Sequence, residues 1–251
     1  MWRAALCLLA LMATEAVADA CAPGDGNWVK RACFERHSPT RPSYGHDVLG
    51  GTPEWNRLRV VLGPVGQERL GHTDDAVVLA MPAGRIIEDI APRVVHLDGD
   101  GPPEIVLVIS DAQHGAQLAV FDLSDGRVVG TPFIGRRHRW LAPVGAADLD
   151  GDGWVELAYI DRPHLAKVLR VWRYRDGQLV QVAAADGFTN HRIGEREISG
   201  GLRTCDTGPE MVLASADWSR VLAVRLRGGQ LIARDLGPAG PGAFQDALTC
   251  R

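Results

Sequence analysis

The chain has 251 residues, a formal net charge of −4 and 46% hydrophobic residues. That length suits a single large all-β core. With 27 basic against 31 acidic residues, bulk charge excludes a polyanion binder, so no nucleic-acid partner is expected.

Residues 1–20, MWRAALCLLALMATEAVADA, place Arg3 before an apolar run at 4–13 and close on Ala18-Asp19-Ala20. This pattern predicts a secretory signal peptide, because the run falls short of the ~20 apolar residues that a bilayer span needs. Cys21 follows directly, which raises a lipoprotein as the alternative, but Ala18 and Asp19 do not make a lipobox. No later stretch reads as a membrane span. The expectation is a single domain over residues 21–251, periplasmic or secreted, with a charge of about −3 once residues 1–20 are removed.

Cys7 lies within the signal segment, leaving Cys21, Cys33, Cys205 and Cys250. An even count in an exported chain predicts two disulfides. Of the three possible pairings, Cys21–Cys33 and Cys205–Cys250 are preferred: a short N-terminal loop and a pinned C-terminal tail. No CxxC spacing supports zinc or thiol redox chemistry.

The middle of the chain repeats. "HLDGDGPPEIVLV" at 96–108 matches "DLDGDGWVELAYI" at 148–160, and Ala91-Pro92 and Ala142-Pro143 precede them at similar distances. Downstream, the Asp125-Gly126, Asp176-Gly177 and Gly228-Gly229 turns align. Glu54 and Glu210 extend the series outward at spacings of 50 and 54 residues around Glu104 and Glu156. Four units are expected, near 43–88, 91–134, 141–184 and 196–236. Short apolar runs bounded by turns read as buried strands, and Asp-Gly between such runs is a hairpin signal. Leu165, Val168, Leu169 and Trp172 have helical spacing, but the aligned "QLAVFDL" reads as strand, so strand is preferred.

Repeated four-stranded units of ~50 residues predict an all-β fold, a β-propeller. About five blades are expected, the last assembled from "NWVKRACFER" and "FQDALTC" at the two ends; four is the alternative. Trp172 and Trp218 are expected to pack between blade layers.

These motifs resemble the FG-GAP/VCBS repeats of integrin α-chain heads and exported bacterial β-propellers. The resemblance covers two units well and two poorly. It implies a Ca²⁺ loop with ligands Asp148, Asp150, Asp152, the carbonyl of Trp154, and Glu156. It also implies a second, weaker loop of Asp98, Asp100 and Glu104, with His96 at its first position. Calcium takes six to eight hard oxygen ligands, which alternating aspartates can supply. An EF-hand is excluded, because its twelfth position falls on Tyr159 or Leu107. Gly-Asp-Gly also turns without any metal, and Glu54 and Glu210 keep the glutamate without the aspartates, so that glutamate is expected to serve the hairpin by accepting backbone amides.

No catalytic signature of the G-x-S-x-G, HExxH or P-loop kind is present. "GRRHRWLAP" at 135–143 stacks Arg136, Arg137, His138 and Arg139 before Trp140, which reads as a solvated inter-blade loop with Trp140 packed between blades, in preference to a site for an anionic ligand or partner. His138, His164 and His191 read first as surface or satisfied residues, with lining one end of the ring as the functional alternative. The functional expectation is a non-enzymatic exported scaffold or binding module with structural calcium and an unknown protein or envelope partner. The alternative is a propeller-based hydrolase or lyase acting on glycan or other cell-envelope material. Two or more carboxylates or histidines converging at one axial end would favour the alternative.

Overall fold

The computed structural model describes residues 20–37, 44–71, 74–99, 101–205 and 208–251. The expected signal segment up to residue 19 lies outside the described residues, as does Asp100. The protein is all-β and propeller-like, as expected. It is built of four antiparallel sheets laid down in chain order.

The first sheet holds β1 (Ala20–Pro23), β2 (Val29–Glu35), β3 (Arg57–Leu62) and β4 (Ala76–Ala80), with the short helix α1 (Pro64–Leu70) between its last two strands. The second holds β5 (Arg85–Ile87), β6 (Arg93–Val95), β7 (Glu104–Asp111), β8 (Gly115–Phe121) and β9 (Val128–Gly130). Its innermost strand is broken, so β5 and β6 pair with opposite ends of β7. The third holds β10 (Leu141–Ala147), β11 (Glu156–Asp161), β12 (Val168–Arg175) and β13 (Gln178–Asp186). The fourth holds β14 (Phe188–Thr189), β15 (Gly201–Cys205), β16 (Gly208–Ser215), β17 (Arg220–Arg227) and β18 (Gln230–Pro238), followed by helix α2 (Ala243–Leu248).

The second strand of each later sheet is apolar on both faces because both faces are covered. Ile105, Leu107 and Ile109 of β7 meet Phe34, Leu58 and Val60 of the first sheet. Val106 and Val108 turn the other way, onto Leu157, Tyr159 and Trp172 of the third. Ala158 and Ile160 of β11 then meet Met211 and Leu213 of β16. Each such side chain contributes about 1.5–3 kcal/mol by leaving water. At the far end Val212 packs on Phe244, Ala247 and Leu248, so α2 covers the outer face of the fourth sheet. Strand β3 instead alternates, with Leu58, Val60 and Leu62 buried and Arg57, Arg59 and Val61 only half-buried. The outer face of the first sheet is therefore partly solvated.

The expected five blades are corrected to four. No strand pairing joins the two ends of the described chain. "NWVKRACFER" supplies β2, an interior strand of the first sheet, and "FQDALTC" forms α2 and its end. The apolar cover that a fifth blade would give the fourth sheet comes from a helix.

The first repeat is also displaced from the expected 43–88. The sheet begins at Ala20, and its counterpart of the Asp-Gly-Asp-Gly loop is "GDGNW" at 24–28, ahead of β2. Asp25 Oδ1 gathers the amides of Asn27, Trp28 and Val29 there, at 2.9–3.1 Å. The likeness of "GDGNW" to "DGDGW" was legible; the 50-residue spacing of Glu54 pointed elsewhere.

Other expectations are met. Both disulfides form as preferred, Cys21–Cys33 across β1 and β2 and Cys205–Cys250 from β15 to the end of α2. Asp176-Gly177 closes the β12–β13 hairpin with both residues at positive φ, 50° and 67°, the geometry of a type I′ turn. Leu169 and Trp172 lie in strand β12, not a helix. Trp172 packs between the second and third sheets. Trp218 does not pack between sheets: it sits on the β16–β17 turn against Phe244, with Arg192 over its ring at 4.0 Å.

Candidate functional site

The loop between β10 and β11 is wound around Asp148. Its Oδ1 accepts the amides of Gly151 and Asp152 at 2.7 and 3.1 Å, and its Oδ2 accepts that of Gly153 at 2.9 Å. Asp152 accepts the amide of Trp154 at 3.0 Å. Glu156, fully buried at the start of β11, accepts the amide of Leu149 at 2.8 Å. The same bond recurs one repeat earlier, where Glu104 accepts the amide of Leu97 at 2.8 Å. In both loops the glutamate serves the hairpin itself.

Carboxylate oxygens of Asp148, Asp150 and Glu156 lie within 4.8 Å of one another, as a cation would require. A cation is already there. Arg173, opposite Glu156 in the β11–β12 register, donates Nε to Glu156 at 2.6 Å. Its Nη2 lies 2.9 Å from Asp150 and its Nη1 2.7 Å from Asp152. One planar guanidinium thus engages three of the four carboxylates.

Sequence reading missed Arg173, although the repeats expose its equivalents. In the fourth sheet the same strand position is Arg225, which binds Glu210 at 2.7 Å together with Arg203. In the second sheet it is Asp122, one residue beyond the Ile105–Phe121 pair. There the loop glutamate faces another carboxylate. Burial first, with Asp98 and Asp122 adding repulsion, pushes Glu104 up to about 7. Of the predicted second loop, Asp98 and Glu104 thus share one electrostatic environment. His96 turns aside, with Nε2 3.7 Å from Asp25 of the first-sheet loop.

His138, His164 and His191 do not stand apart: His138 stacks on His46, and His164 meets His191. His46, in the segment joining β2 to β3, lies with Nδ1 2.7 Å from Glu88 Oε1. It stacks on His138 at 5.2 Å between centroids, and Tyr44 meets both rings edge-on. Ser110 donates its hydroxyl to Glu88, and Trp140 donates its indole N–H to the Glu88 carbonyl. On the other side of Trp140, His164 Nε2 lies 2.9 Å from His191 Nδ1, and His191 Nε2 lies 2.9 Å from the Glu195 carbonyl. A carbonyl only accepts, so His191 carries its proton on Nε2 and His164 donates to Nδ1. The cluster draws on all four sheets through their connecting loops. Glu88, Ser110 and His46 carried no sequence signal, because only folding brings them together.

Burial, with His191 and then His46 nearby, pushes His164 down to about 4, and burial lowers His191 as well. Both are neutral in the folded protein near pH 7. An unfolded histidine binds a proton below ~6.5, so the folded state is the proton-poor one between that value and the folded pKa. Stability is therefore fully present above pH 6.5 and is lost as the pH falls toward 4. Glu104, raised to about 7, contributes the opposite slope over the same range, so the readout is the difference between proteins: the urea midpoint of the wild type relative to His164→Gln should fall from pH 7.5 to 6 to 5. A difference that stays constant from 7.5 to 5 would contradict the assignment.

No protein-family model and no curated protein matches the chain. No helix among the described residues is long and apolar enough to cross a membrane.

Proposed function

We propose that this is an exported, non-enzymatic scaffold or binding module of the FG-GAP/VCBS repeat type, with a structural calcium ion in the loop 148–156. The observation that carries the calcium reading is the convergence of Asp148, Asp150 and Glu156. Asp152 and the Trp154 carbonyl complete the oxygen set that the family resemblance implies. The loop's carboxylates already gather around one positive charge, the Arg173 guanidinium, whose place a calcium ion would take. Bound calcium would supply charge neutralisation to the loop, and Arg173 would have to swing outward. Arg173 is then the competitor that sets the affinity. The weaker loop of Asp98, Asp100 and Glu104 has no such arginine at the aligned position. Two disulfides support the exported setting.

Thermal unfolding with calcium and with chelator tests this on the wild type, Asp150→Ala and Arg173→Ala. Arg173→Ala should lose stability in chelator and regain it with calcium, by about 2.7 kcal/mol at one hundred times Kd. Asp150→Ala should respond less than the wild type. Indistinguishable midpoints in calcium and chelator for all three proteins would defeat the proposal.

One observation favours the alternative, a hydrolase or lyase acting on glycan or cell-envelope material. The His46–Glu88 pair is an imidazole oriented by a carboxylate, the arrangement of a general base. The order of a serine triad is not built, because Ser110 is bonded to Glu88 and not to the imidazole. Envelope-glycan turnover that disappears in His46→Ala would support this reading over the scaffold.

A further inference from the structure

The loop before β10 carries Arg136, Arg137 and Arg139 around His138, at the end of the stack where the histidines gather. We infer that this loop is a binding site for an oxyanion group, carboxylate or phosphate, on a small ligand. The inference rests on the binding-module reading and gives that module a ligand chemistry.

The charge is the first reason. Arg85, Arg93, Arg162, Arg170, Arg173, Arg203, Arg220 and Arg225 all pair with carboxylates. Among the described residues the three guanidinium groups of this loop pair with none; Arg31, Arg36, Arg57, Arg69, Arg196 and Arg227 are also without a carboxylate there, but only here do three such arginines fall within four positions. The carboxylate of the cluster is already committed, because Glu88 is buried against His46 and Ser110.

The second reason is that two of the guanidinium groups are held in place. Arg137 Nε lies 3.0 Å from His138 Nε2, and its Nη2 donates to the Tyr44 carbonyl at 3.4 Å. Arg139 donates Nη1 to the His138 carbonyl at 3.0 Å. Each fork keeps N–H donors that no described residue accepts. A guanidinium fork matches a planar or tetrahedral oxyanion and binds it bidentately.

The third reason is backbone strain. His138 has a φ of 55°, in the left-handed region that non-glycine residues avoid. The Tyr44 hydroxyl holds it there by accepting the His138 amide at 2.9 Å, and Tyr44 is itself buried. Arg162 and Lys167, on the neighbouring β11–β12 loop, are also at positive φ, 48° and 56°. Such strain persists where surrounding structure over-determines it, and it concentrates at ligand-binding loops. The patch is local on a chain of net charge −4, so it suits a single anionic group and not a long polyanion.

Titration calorimetry at low ionic strength against inorganic phosphate and, separately, glucuronate tests the site, with sodium chloride as control. Saturable binding of either anion is expected, and the arm that binds tighter identifies the source chemistry. Arg137→Ala combined with Arg139→Ala should weaken it at least tenfold, and the milder Arg137→Gln should weaken it severalfold. Arg227→Ala, an exposed arginine on β17, should leave it unchanged. Absence of saturable heat with both anions, or an equal loss in Arg227→Ala, would overturn the site. Calcium-dependent unfolding of the double variant should stay as in the wild type, so the two proposals fail separately.

Discussion

Glu210→Ala should lower the stability of the protein by about 3–5 kcal/mol, the cost of breaking a buried ion pair by removing one partner. The Glu210 side chain is 1% exposed and that of Arg203 4% exposed. Arg203 donates to Glu210 from Nε and Nη2 at 2.8 and 2.5 Å, and Arg225 adds Nε at 2.7 Å. The third nitrogen of Arg203 reaches the Ala247 carbonyl in α2 at 2.6 Å. The pair therefore joins the fourth sheet to the helix that covers it. Without Glu210, one guanidinium stays buried with no counter-charge and the other loses its anchor.

Burial opposes ionisation of Glu210, but hydrogen bonds from Arg225 and Arg203 outweigh it and hold the carboxyl below its usual range. This stabilisation is present above the unfolded carboxylate pKa of ~4.5 and is lost as the pH falls through the lower folded value. Urea unfolding of the wild type, Glu210→Ala and Glu210→Gln at pH 7 measures the effect. A loss below about 1 kcal/mol in Glu210→Ala would show that the cluster carries little stability.

The second large effect is expected at the C-terminal disulfide. Cys205 and Cys250 are 45 residues apart in sequence, so opening the bridge frees a long loop in the unfolded chain. Chain-entropy bookkeeping puts the cost at about 4 kcal/mol. The native state bears the loss at α2, whose six residues are too few to persist without tertiary packing. Released, α2 would uncover Val212 and Val221 on the outer face of the fourth sheet. Cys205→Ser with Cys250→Ser should lower the urea midpoint and raise binding of a hydrophobic dye. The Cys21–Cys33 bridge spans only 12 residues and joins strands already paired in register, so its removal should cost less. Equal losses for the two bridges would refute this ranking.

These expectations depend on how the repeats diverge. One position at the loop glutamate and one directly across the sheet set the electrostatics of each unit. The third sheet places Glu156 against Arg173, the fourth Glu210 against Arg225, and the second Glu104 against Asp122. The same hairpin is thereby neutralised internally in two units and left acidic in one. On sequence alone, the three aspartates of 148–156 made that loop the stronger metal candidate. The structure adds that an arginine 17 positions past Glu156 pairs with three of the loop's carboxylates.

By itself the sequence pointed to the all-β class, the internal repeat and the hairpins, and it left three disulfide pairings of which the preferred one forms. These are local or periodic facts: Asp-Gly turns need positive φ, buried strands need uninterrupted apolar runs, and a 52-residue offset can be counted. The recurrence of Glu54 and Glu210 without aspartates also pointed to a hairpin role for the loop glutamate, and in the structure Glu104 and Glu156 each accept an amide seven residues upstream. Only the tertiary structure decided the number of sheets, because a C-terminal segment can cover an apolar face as a helix as well as by adding a strand. Only it could seat Arg173 among the aspartates, since that contact follows from β11–β12 register. The convergence of His46, Glu88, Ser110 and His138 belongs to the same kind of fact. These residues are up to 92 positions apart and meet because separate sheets deliver their loops to one end, a packing outcome that no spacing along the chain encodes.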